Sequence, residues 1–80
     1  MDLSIQEQEE VKAHLMATDE EFRRIAVQHA EVKRRVAEIE ANPHPSDFDV
    51  QEEARLKKLK LALKDKMLEM MHVHRETAAA

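Results

Sequence analysis

Histidine, methionine and lysine are the side chains through which this chain could do chemistry, since it carries five histidines and five methionines but no cysteine, tryptophan or tyrosine. His29 is the most pointed of them. It stands in an apolar series with Ile25 and Val32 on either side, and imidazole is the side chain that titrates near neutrality. It could therefore be a pH- or partner-sensitive switch; the simpler reading is a polar seam residue that fixes helix register or oligomeric state. The stretch "MMHVHRE", Met70 to Glu76, offers soft and nitrogen ligands. On a helix, however, His72 and His74 point to different sides, and a metal-binding pair needs i, i+3 or i, i+4 spacing. No two histidines here have it, so no metal and no cofactor is expected. Met70 and Met71 read as adaptable core filler, with an adaptable docking surface as the alternative.

Lys57, Lys60 and Lys64 recur at i, i+3 and i+7, which places them on one side of a helix. They could grip phosphates or an acidic partner. The plainer expectation is that they snorkel over an apolar seam and pair with Glu31 and Glu38. No aromatic residues interleave with them to stack bases. Catalysis has less to work with still. There is no glycine for a phosphate loop, no HExxH, and no Ser or Thr set beside a His on a rigid scaffold. The expectation is a protein that is not an enzyme and takes no small-molecule substrate.

Whatever these residues do, helices must position them. Charged residues make up 38% of the 80, glycine is absent and proline occurs only at positions 43 and 45; this is the composition of long solvated helices. A chain this short, with only two Phe as aromatics, buries a thin core, so a partner chain is expected. A membrane span needs about 20 apolar residues and a signal-peptide core about 7–15, whereas the longest apolar run here is of the size of Leu61-Ala62-Leu63. A soluble, cytoplasmic, single domain over residues 1–80 follows as the expectation. The net charge of −4 speaks against general nucleic-acid binding, which depends on neutralising phosphates. The charge is uneven, with Asp2, Glu7, Glu9 and Glu10 at the start and Arg55, Lys57, Lys58, Lys60, Lys64 and Lys66 against Asp65 later.

The stretch "ANPHPSDFD", Ala41 to Asp49, interrupts any helix, because both prolines lack an amide donor and push the preceding residues to extended conformations. It predicts a turn over 42–49, with Ser46, Asp47 and Asp49 as candidate caps and Asp49 with Glu52 at capping-box spacing. Before it, Phe22, Ile25, His29, Val32, Val36 and Ile39 alternate steps of three and four, a heptad stripe that continues back through Thr18, Leu15 and Val11. This predicts a first helix over about 4–41. Ser4 with Glu7 and Thr18 with Glu21 also have capping-box spacing, so a break near residue 17 competes with one continuous helix; the unbroken heptad favours continuity. After the turn, a second helix over about 50–76 carries Leu56, Leu59, Leu63, Met67 and Met70 within an arc of roughly 80°.

The two stripes match antiparallel. Val36 falls opposite Leu56, Val32 opposite Leu59, His29 opposite Leu63, Ile25 opposite Met67 and Phe22 opposite Met70, all centred on the proline turn. The fold expected is all-α, an antiparallel two-helix hairpin of coiled-coil type. A second apolar line, Val50, Ala54, Leu61 and Leu68, lies roughly 140° from the first on the second helix. Beside the first helix's stripe runs a line of small residues, Ala26, Ala30, Ala37 and Ala41. These lines are expected to meet across a two-fold axis and make a homodimeric four-helix bundle; another protein is the competing occupant.

"DEEFRRIAVQHAEVKRRVAEIE" and "EARLKKLKLALKDKMLEMM" together resemble the YdcH-like family of small bacterial proteins. Asp19, Phe22, His29, Val32, Val36 and Glu40 carry the first half of the resemblance. Leu56, Lys57, Lys58, Lys60, Leu61, Leu63, Lys64 and Asp65 carry the more specific second half. It spans roughly residues 15–71, with valines at 32 and 36 where longer aliphatics are more usual. The resemblance implies an αα-hairpin and no catalytic residue. The functional expectation is a non-enzymatic interaction or adaptor protein, with Leu61, Leu68 and the Lys57/Lys60/Lys64 stripe as its interface. The alternative is a nucleic-acid-associated protein using the basic stretch 55–66.

Overall fold

The structure, a computed structural model, describes residues 4–79 and their side chains through 77; Asp2 of the acidic start lies outside them. It is all-helical, with α1 over Ile5–Thr18, α2 over Glu20–Ala41 and α3 over Asp47–Ala79. At about 1.5 Å per residue α3 alone is about 50 Å long, and the longest extent of the molecule is 52 Å. Every other element packs along this one rod.

The continuous helix that the heptad favours is two helices. Asp19 ends one and starts the next, with extended backbone at φ −118° and ψ 110°. Its N–H donates to the Leu15 carbonyl at 2.8 Å, while its side chain accepts from the Phe22 N–H at 3.0 Å. The cap is therefore Asp19 and not Thr18, whose hydroxyl donates back to the His14 carbonyl at 2.9 Å. A short aspartate side chain offers the backbone this alternative to continued helix. Packing supplies the other half of the reason. A straight continuation in register would set Leu15 near Glu76 and Val11 past the end of α3. The bend instead brings Leu15 into a buried cluster with Phe22, Ile25, Met67 and Met71.

The proline segment is shorter than expected. Asn42 closes α2, its N–H donating to the Ile39 carbonyl at 3.1 Å. α3 begins at Asp47 rather than Val50 because Ser46 takes the cap. The Asp49 N–H donates to Ser46 Oγ at 3.1 Å and the Ser46 N–H to Asp49 Oδ2 at 3.2 Å. This is a reciprocal box with Asp49 in the role expected of Glu52. Glu52 serves elsewhere, accepting from Arg35 of α2 at 3.1 Å.

A second buried cluster joins Val36 and Ile39 of α2 to Leu56 of α3, with Val32 packed against it. Late α2 thus meets early α3, and early α2 meets late α3. The ion pair Arg35–Glu52 at 3.1 Å and the pair Lys57–Glu40 at 3.8 Å lie along the same seam.

Candidate functional site

Along α3 the buried line runs through Leu56, Met67 and Met71, with Leu63 and Met70 half-buried. Of the α2 stripe, Phe22, Ile25 and Val36 are buried, whereas His29 and Val32 are half-buried. Leu59 departs from the seam at 40% exposure, while Lys60 beside it is half-buried. The reason is α1. It lies over the side of α3 that carries Leu68 and Met71, so the buried line shifts round the helix toward Lys60. Leu59 sits about 60° from Leu56 in the other direction.

The second apolar line is divided in the same way. Leu68 is packed against the larger cluster, under α1, while Leu61 and Val50 stay 58% and 57% exposed. The sequence puts these residues on one line; only the bend at Asp19 separates them.

The lysines divide as well. Lys57 pairs with Glu53 at 3.4 Å and with Glu40 at 3.8 Å, not with Glu31 or Glu38. Glu38 is held by Arg34 and Arg35. Half-buried Lys60 and exposed Lys64 instead line a groove of about 420 Å³ between the three helices. α1 contributes Ile5, Gln8, Glu9 and Lys12 to it, and α2 contributes His29 and Lys33. Met67, Leu68 and Met71 make its apolar floor. Among the described residues, none of Lys12, Lys33, Lys60 and Lys64 is in an ion pair.

His29 reports on that surrounding. Partial burial, and then the charges of Lys33, Lys60, Lys12 and Lys64, hold its imidazole below the ordinary histidine range. Its Nε2 is shielded and meets no hydrogen-bonding partner among the described residues. Lys33 was legible as a neighbour, standing four residues after His29 on the same helix. Lys12 was not, because it reaches the groove only through the fold-over of α1. The same fold-over brings the His14 and His74 rings to 4.7 Å and Glu7 to 4.0 Å from Arg75.

His72 is exposed, and no group of three or more His, Asp or Glu among the described residues could hold a metal ion. No helix among them is long and apolar enough to cross a membrane.

These features define a small all-helical protein with a three-helix basic groove and a partly uncovered apolar line. The chain belongs to a family of small bacterial proteins described as protein of unknown function (DUF465), whose model matches residues 22–71 and which includes the YdcH-like proteins. The match takes in most of α2 and most of α3 and leaves α1 outside it. No curated protein and no solved structure matches the chain.

Proposed function

We propose that the chain is a non-enzymatic, cytoplasmic interaction protein. In this reading α2 and α3 form a helical hairpin that pairs with a second copy into a four-helix bundle. The observation that carries it is the exposed line of Val50, Ala54 and Leu61 on α3, turned away from the buried seam. A second copy has what this line lacks. Ala30 and Ala37 are exposed along α2 and would let large side chains approach closely. Glu31 beside them, also exposed, would meet the basic rim of α3. Large against small and basic against acidic then repeat on both sides of a two-fold axis.

Sedimentation equilibrium tests this. Wild type is expected to be a dimer at micromolar concentration and Leu61→Glu a monomer with unchanged helical content. A wild-type monomer at that concentration would overturn the reading. The nucleic-acid alternative draws less support from the basic stretch, because Arg55 and Lys57 are engaged with Glu52, Glu53 and Glu40 while Lys60 and Lys64 face the groove.

A further inference from the structure

We propose that the groove between the three helices binds an amphiphilic anion, a carboxylate or phosphate carried on an aliphatic chain.

The charge is the first argument. The chain is net acidic at −4, yet three separate helices bring Lys12, Lys33, Lys60 and Lys64 to one groove whose lining among the described residues holds a single carboxylate, Glu9. With no ion pair among the described residues to offset them, like charges gathered in this way repel, and a bound anion relieves that repulsion.

The floor is the second. Buried Met67 and Met71 and half-buried Leu68 line the same groove as the four lysines and give it an apolar floor. A small hydrated anion has no use for that surface. Methionine side chains adapt to an aliphatic chain of variable shape, and the volume of about 420 Å³ falls within the range of about 300–1,000 Å³ usual for ligand pockets.

Size chooses between a chain molecule and a partner helix. A helix with its side chains is about 10 Å across, and α1, anchored by the buried Leu15, already forms one wall of the groove through Ile5, Gln8, Glu9 and Lys12. What remains between α1 and the seam suits a run of methylenes with a charged head.

The test uses the full chain and decanoate below its micelle-forming concentration, followed by NMR. Decanoate is expected to bind one-to-one and saturably, perturbing His29, Lys33 and Leu68, and to raise the His29 pKa by placing negative charge among the lysines. Replacing Lys60 and Lys64 together by Glu should weaken binding by about tenfold or more. Decanol, with the same chain and no charge, should bind at least about tenfold more weakly and leave the His29 titration unmoved.

Lys60→Gln/Lys64→Gln serves as the second variant should the double Glu variant lose helical content. Leu61→Glu should bind as wild type does, which separates the groove from the proposed dimer. A parallel arm measures retention on phosphatidylglycerol vesicles. Lysine-dependent retention there identifies a bilayer lipid as the source of the anion; lysine-dependent binding of decanoate alone identifies a free amphiphile. Decanol binding as tightly as decanoate would overturn the proposal. So would binding in both arms that the lysine variants leave unchanged, or no binding in either arm.

Discussion

At the end of the α2–α3 seam nearest the prolines, Val36, Ile39 and Leu56 bury one another between two helices. At the other end Leu15, Phe22, Ile25, Met67 and Met71 come from three. Phe22 is wholly buried because α1, α2 and α3 all close around it. Leu56 has two helices for cover, with the Arg35–Glu52 pair on the same seam. Between the clusters lie half-buried His29 and the 40% exposed Leu59, with half-buried Leu63 packed against the larger one. A two-helix seam therefore buries little by itself, and the folded-over segment makes the larger core.

Truncation at the three-helix end should do the most damage. Phe22→Ala should cost about 3–5 kcal/mol, as much as the whole core of a chain this small supplies, about 3–5 kcal/mol. Cooperative thermal unfolding followed by circular dichroism should disappear. Leu56→Ala in the smaller cluster should cost nearer about 2 kcal/mol, the low end for such a truncation, because two helices can close over the gap more freely than three. It should keep a cooperative transition at a lower Tm. Equal losses from the two would mean that the clusters are not built differently.

Helix caps sharpen the same contrast. Asp19→Ala and Ser46→Ala each remove a side-chain acceptor for a first-turn N–H, and each should cost about 1 kcal/mol. They should act at opposite ends. Asp19→Ala frees the fold-over, so hydrogen exchange should quicken in α1 and around Phe22 while Val36 and Ile39 stay protected. Ser46→Ala should do the reverse. Exchange rising uniformly in both variants would show a single cooperative unit with no distinction between its ends.

The helical class was legible, because absent glycine, two clustered prolines and three–four spacing admit little else. Both apolar stripes could be read for the same reason, since 3.6-residue periodicity survives in any helical context. The groove could not. It exists because Asp19 spends its carboxylate on the Phe22 N–H and bends the chain, and an aspartate inside a heptad is as compatible with a solvated helix surface as with a cap. Once α1 folds over, Lys12 joins Lys60, Leu68 parts from Leu61, and Leu59 yields its place in the seam. Each is a tertiary consequence of one residue's backbone, which periodicity does not carry. The start of α3 was missed on a smaller scale: Ser46 and Asp49 cap each other, and several candidate caps in a row leave the choice to packing.

The smallest effect concerns the ground between the clusters. In the folded chain the His29 imidazole titrates below its ordinary range, first through partial burial and then through Lys33, Lys60, Lys12 and Lys64. The unfolded chain, where His29 titrates near the ordinary histidine value of 6.5, therefore binds more protons in the interval below that pH. Stability must fall as pH drops through 6.5, with the loss complete once the folded-state pKa is passed. Protonation adds positive charge among the four lysines, opposed in the groove lining, among the described residues, only by Glu9 of α1. The strain falls where α1 meets the seam, so the three-helix end should loosen first. His29→Gln keeps a polar side chain without the titration and should flatten the dependence of Tm on pH between 5 and 7. The contrast with Leu56→Ala is direct, since that variant should lower Tm by the same amount at every pH in the range. A His29→Gln protein with the wild-type slope would assign the acid sensitivity to another group.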